Sequence, residues 1–133
     1  MSVNQTMTNV KPHSVTQDAF LGGELQILQP KNGFRAGVDS VLLGASVNAD
    51  TKNLLELGAG VGVAALTALT YLKSIKASLA EISDEAIALC TQNATSNGLI
   101  DRANIFKIDI MASGPERDEA GMKPDYFDCV IAN

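Results

Sequence analysis

The chain has 133 residues, 46% of them apolar, with 15 acidic against 10 basic side chains and a net charge of −5 at pH 7. That length gives one domain with room for a core, and the acidic balance leaves no basic stripe of the kind an autonomous nucleic-acid binder carries. No apolar run reaches membrane-span length, no signal peptide opens the chain, and Cys90, Cys129 and the sole histidine, His13, have no metal-ligand or disulfide spacing, so a reduced, cytoplasmic setting with no membrane partner and no metal is expected.

Residues 1–15 are polar, without apolar period, and read as a flexible tail. Residues 16–23 form a turn-rich entry to a strand over Glu24–Gln29, where polar and apolar side chains alternate. Pro30 ends that strand, Asn32-Gly33 signals a hairpin turn, and Phe34 and Arg35 begin the expected returning strand. Asp39 is placed as N-cap of a helix from Ser40 to about Val47, with Val41, Leu42, Ala45 and Val47 inward. Residues 16–48 thus make an N-terminal hairpin-and-helix unit ahead of a second unit, 49–133.

The second unit is organised around Asn53-Leu54-Leu55-Glu56-Leu57-Gly58-Ala59-Gly60-Val61-Gly62, a short apolar strand that stops at a glycine-spaced turn. Helix amides follow and can meet polar or anionic ligand groups. A helix from Val63 to about Leu72 is apolar nearly all round and reads as buried. Lys76–Glu81 is a second strand. Ser83 caps the next helix, Ile87, Cys90 and Ala94 face inward, and Asn97-Gly98 closes it. Asn104–Asp109 and Asp128–Ala132 are two further strands, separated by a charged loop with room for a short helix. Alternating strands and helices predict an α/β fold with a parallel sheet and right-handed crossovers.

Ligands of open parallel sheets bind outside the carboxyl ends of the strands, where the glycine turn, Glu81, Asp109 and Asn133 fall. A dinucleotide fingerprint needs glycine at the first, third and sixth positions of the turn, but the sixth is Val63 and the third glycine comes early, at Gly62. The pattern Glu56-x-Gly58-x-Gly60-x-Gly62 instead resembles motif I of the class I methyltransferases, which bind S-adenosyl-L-methionine. Glu81 stands about twenty residues beyond the glycines, where an acid can accept ribose hydroxyls, and Ile82 beside it joins the cofactor-binding set. Asp109 could accept from the adenine amine with Ile110 against the ring, or serve as a helix cap.

From Thr16 to Asn133 the chain is similar to the N-terminal half of a class I methyltransferase. Residues Gln29 to Ala45, which include Phe34-Arg35-Ala36-Gly37-Val38-Asp39-Ser40, are similar to the bacterial tRNA(Val) adenine-N6 methyltransferase group. The resemblance implies a Rossmann-like fold of strand order 3-2-1-4 and puts Arg35, Gly37 and Asp39 near the methionine end of the cofactor or the target pocket; for Asp39, the N-cap role stands beside this. It makes Asn133 the first residue of the group's Asn-Pro-Pro-aromatic catalytic signature, so Asn133 is the expected catalytic residue. Its side chain would accept the hydrogens of a planar amine. The chain stops there, and the expectation is a truncated fragment with little transfer activity, contact with tRNA through the missing half, and self-association through an exposed fourth strand. Small-molecule O-methylation, methylation of a protein glutamine, a nicotinamide oxidoreductase and a non-catalytic nucleotide-binding domain are the alternatives.

Overall fold

The computed structural model describes residues 14–133; the expected tail lies outside the described residues up to residue 13, and Val15 already belongs to a strand. Two antiparallel strands, β1 (Val15–Phe20) and β2 (Leu25–Pro30), form a separate hairpin. Then come α1 (Val38–Ala45), β3 (Asn53–Leu57), α2 (Val63–Tyr71), β4 (Lys76–Glu81), α3 (Asp84–Ser96), β5 (Ala103–Lys107), the short α4 (Gly114–Ala120) and β6 (Cys129–Ala132). The four later strands make one parallel sheet in the order β5-β4-β3-β6, which is the expected 3-2-1-4.

The hairpin departs from expectation in its turn and its partner strand. It turns at Leu21-Gly22-Gly23, all with positive φ, and β2 pairs with the chain before it. Residues 34–37 form no strand. The buried Gln29 side chain explains why: it accepts the Ala36 N–H at 3.0 Å and donates to Asp18 at 2.8 Å. Arg35 then donates to Asp18 and Thr16, both at 2.9 Å, and to the Pro30 carbonyl. Side chains thus satisfy the groups that a strand ladder would have used.

The start of α1 also differs. Gly37 is the N-cap and Asp39 lies inside the first turn without a capping bond. Ser40 and Gly44 are the buried residues of this helix, whereas Leu42 is 62% exposed and Ala45 is exposed. Gly44 explains the choice of face. A Cβ there would stand 2.2 Å from the Ala64 carbonyl oxygen, so α1 and α2 meet at backbone distance only because position 44 is glycine.

Helix α2 is buried from Val63 through Leu69, as its all-round apolarity requires. In α3, Ser83 accepts the Ala86 N–H at 3.2 Å, and Leu89, Cys90, Asn93 and Ala94 turn inward. Asn93, fully buried, accepts the Leu28 N–H at 2.7 Å and donates to the carbonyls of Leu28 at 2.9 Å and Val61 at 3.0 Å. One turn on, Asn97 accepts the Gln26 N–H at 3.0 Å and donates to its carbonyl at 2.8 Å. Two helical side chains thereby take the place of a neighbouring strand along β2, since four helical residues rise about as far as two extended ones. Asn93→Ala should leave three backbone groups, one of them buried, without their partner and cost on the order of 3 kcal/mol. Hydrogen exchange should then quicken in β1 and β2 while α2 keeps its protection; unchanged exchange would mean that packing alone holds the hairpin.

Candidate functional site

The glycines of the β3–α2 turn divide into two kinds. Gly58, Gly60 and Gly62 all have positive φ, at 68°, 59° and 98°. A Cβ on Gly58 or Gly60 would meet no atom within 4 Å, whereas one on Gly62 would stand 2.8 Å from Cys90 Sγ. The first two therefore face open space at a ligand cavity, and Gly62 permits close packing of the turn on α3. Cys90 is wholly buried, and burial pushes its thiol well above the usual range, so it is inert packing here.

Two carboxyl groups hold the turn. Glu81 Oε1 accepts the Gly60 N–H at 2.7 Å, and Oε2 accepts those of Ile82 at 2.8 Å and Ser83 at 2.9 Å. A carboxylate has about four acceptor positions, so one remains for a ligand hydroxyl. Glu56 Oε1 accepts the Ala65 N–H at 3.1 Å. That amide belongs to the first turn of α2, so the helix end offers an anion less than the sequence suggested. Glu56 is 2% exposed, and burial, with a smaller contribution from the Glu81 charge, pushes its carboxyl up to about 8.

The turn forms one wall of a cavity of about 430 Å³. Ser83 and Ala86 at the start of α3 line it, Pro30, Phe34 and Ala36 cross it from the hairpin side, and Ser40 and Asn133 meet at its end. Glu56, Glu81 and Glu85 also line it, and among the described residues no Lys, Arg or His does. Asn133 Nδ2 donates to Asp39 Oδ2 and Ser40 Oγ, both at 3.2 Å, joining residues 94 and 93 positions apart. The Asn133 amide, together with nearby backbone N–H groups, holds the Asp39 carboxyl below its usual range. An ionised carboxylate only accepts hydrogen bonds, so the nitrogen faces Asp39 and Oδ1 is left for another donor.

Among the expected site residues, Glu56, Gly58, Gly60, Glu81 and Asn133 line this cavity, and Asp39 touches it through Asn133. Gly62 lies behind it against Cys90. Arg35 is turned to Asp18 and Thr16, and Gly37 is used as a helix cap. Ile82 and Ile110 are 56% and 44% exposed, after the ends of adjacent strands. Asp109 Oδ1 accepts the Met111 N–H at 2.8 Å within a turn and caps no helix, since the next helix is capped by Ser113. Phe34, Ser40 and Glu85 line the cavity without having been singled out; Ser40 follows Asp39 directly, the one local signal available.

The family described as methyltransferase small domain matches residues 35–133, a span that includes the glycine turn and every cavity residue except Pro30 and Phe34. The chain belongs to that family. It is 27% identical over 114 residues to a tRNA1(Val) (adenine(37)-N6)-methyltransferase of Flavobacterium psychrophilum, covering 83% of this chain and 45% of the relative. It is 26% identical over 121 residues to the protein of that name from Vibrio campbellii, covering 89% and 51%. The chain thus spans about half the length of the curated relatives it matches. A SAM-dependent methyltransferase from Agrobacterium tumefaciens shares the fold with a TM-score of 0.65 at 21% identity, over 90% of this chain and 39% of that one. TYW2 of P. horikoshii, solved with MeSAdo, gives 0.62 at 18%, over 72% and 36%.

Glu56 makes a pH-dependent contribution to stability of definite sign. The folded carboxyl binds its proton more tightly than the unfolded one, so the contribution is complete below pH 4.5 and is lost as pH rises to about 8. The span corresponds to on the order of 5 kcal/mol. Glu56→Gln should therefore flatten the fall in Tm between pH 5 and pH 8 in thermal melts. Parallel Tm curves for the two proteins would contradict this.

Proposed function

We propose that the chain forms the S-adenosyl-L-methionine-binding part of a methyltransferase that acts on the exocyclic amine of an adenine in tRNA. The acid-lined cavity at the glycine turn carries the cofactor reading. A pyrophosphate needs free N–H groups and basic side chains. Here Glu81 holds the Gly60 N–H, Glu56 holds that of Ala65, and among the described residues the charged side chains lining the cavity are carboxyl groups. A nicotinamide dinucleotide is disfavoured there, and a ligand with positive charge is favoured.

S-adenosyl-L-methionine supplies, when bound, a methyl group on a cationic sulfur. The chain's own residues hold it and present the target. The remaining acceptor position of Glu81 takes a ribose hydroxyl, and Gly58 and Gly60 allow close approach of the ligand. Ile82 and Ile110 bring apolar surface, and Asp109 an acceptor, to the adenine end. At the other end Asn133 Oδ1 accepts a hydrogen of the planar target amine and orients its lone pair. Asp39 and Ser40 act as positioning residues, because they hold the Asn133 amide in that sense. Catalysis is then mainly alignment.

The adenine and tRNA assignment rests on the relatives above. The acidic balance, a net charge of −5, favours a second reading, methylation of a small molecule, because RNA phosphates are bound by positive charge. β6 is an edge strand whose Val130 is 55% exposed, a surface suited to self-association. Among the described residues no helix is long and apolar enough to cross a membrane, which accords with a cytoplasmic setting.

Calorimetric titration with S-adenosylhomocysteine and, in parallel, NAD tests the reading. The homocysteine compound should bind and NAD should not. Glu81→Ala should weaken binding by about tenfold or more, the loss of one hydrogen bond to a charged group. Asn133→Ala, at the target end, should leave it within about twofold. Binding of NAD alone would overturn the assignment.

A further inference from the structure

Phe34 is the one aromatic side chain lining the cavity among the described residues, and it is 76% exposed. Its neighbours in the chain are pinned. The Lys31 N–H donates to the Ser14 carbonyl at 2.8 Å, Arg35 donates to Asp18, Thr16 and Pro30, and the Ala36 N–H donates to Gln29. The ring itself lies outside the hydrophobic core and, among the described residues, meets no other ring. A large apolar side chain held at a cavity and left uncovered serves a ligand better than it serves the fold. The segment that carries it starts at Pro30, which shares the cavity wall with Ser83 and Ala86 of α3, and runs on through Ala36 to Ser40, beside Asn133. Phe34 therefore stands between the hydroxyl acceptor Glu81 and the amine acceptor Asn133, the stretch in which the cofactor's sulfur falls. Between those acceptors the wall is the glycine turn with Val63 and Ala64, which carry no charge, and Glu56, whose carboxyl burial pushes up to about 8 and keeps largely protonated at pH 7. A cation at this level lacks a full counter-charge, and the negative face of an aromatic ring supplies part of one.

We propose that Phe34 recognises the positive charge on the cofactor's sulfur through the face of its ring, and so separates the methyl donor from its spent, neutral form. The inference rests on the cofactor reading above and extends it from the ends of the ligand to its centre. The apolar surface of the ring touches both forms alike. The attraction between ring face and cation belongs to the donor alone, because the sulfur that has lost its methyl group is uncharged. Phe34 is thus a specificity residue: it strengthens the hold on the form that can react and leaves the spent form to the contacts at Glu81 and along the glycine turn. The pinned segment contributes by fixing the ring before the ligand arrives, so that little order is lost when it binds.

Calorimetric titration of the whole chain near pH 7 with three ligands of identical ends tests this. S-adenosyl-L-methionine carries a charged sulfur, sinefungin a charged amine in its place, and S-adenosylhomocysteine a neutral sulfur. Phe34→Leu keeps an apolar side chain and loses the ring face, whereas Phe34→Tyr keeps the face. In Phe34→Leu both charged ligands should weaken by about fivefold or more relative to S-adenosylhomocysteine. In Phe34→Tyr that ratio should stay within about twofold of wild type. A second readout needs no variant: the proton resonance of a ¹³C-labelled S-methyl group should move upfield on binding to wild-type protein, under the ring current of Phe34. Equal weakening of all three ligands by Phe34→Leu, no change in any of them, or an unmoved methyl resonance would overturn the proposal while leaving the cofactor reading intact. Absence of binding of all three to wild-type protein would instead overturn the cofactor reading and the proposal with it.

Discussion

Two carboxyl groups from different strands grip amides of the glycine turn and of the helix that follows it, and the character of the site follows from that grip. Glu81, at the end of β4, closes on Gly60, and Glu56, within β3, closes on the first turn of α2. Each pairing satisfies a donor that parallel-sheet proteins of this topology commonly turn towards phosphate. The same backbone curve that in other hands cradles an anion is here filled by the protein's own acids. The ligand must therefore bring hydroxyls and positive charge rather than phosphate.

The cavity also depends on parts that carry no chemistry. Asn93 and Asn97 bind the backbone of β2 as a neighbouring strand would, and Gly44 lets α1 lie against α2 at backbone distance. The first contact fixes Pro30, and Gln29 and Arg35 tie the following segment down, so that Phe34 and Ala36 reach across the glycine turn. The second brings Ser40 and Asp39 to the end of β6, where they meet Asn133. Asn93 is fully buried with its oxygen and both its N–H groups bonded, the condition under which a buried polar side chain strengthens a fold instead of weakening it.

Legibility in the sequence followed the range of the interactions. The parallel sheet and the helix ends at Ser83 and Asn97-Gly98 were readable because strand length, helix apolarity and capping chemistry are local, whereas the strand order came from the family resemblance. The hairpin was misread because two turn signals competed. Asn32-Gly33 has the stronger dipeptide preference, but Gly22-Gly23 lies where β2 has an earlier segment to pair with, and Gln29 takes up the backbone that would have made the later strand. At the site, the acids at strand ends and the cavity-lining glycines were legible from spacing. The use of Arg35 by Asp18, the packing duty of Gly62 against Cys90 and the junction of Asp39 with Asn133 were not, since each is decided by a partner distant in sequence.

The central claim is that one ligand spans the cavity from Glu81 to Asn133 along the glycine turn. Amide chemical-shift mapping of the ¹⁵N-labelled chain with S-adenosylhomocysteine tests it most directly. The largest changes should fall on Gly58, Gly60 and Ile82, with the Asn133 side-chain amide moving in step. Changes gathered instead around Leu55, Phe127 and Val130, which line a separate cavity beside α4, would contradict the account.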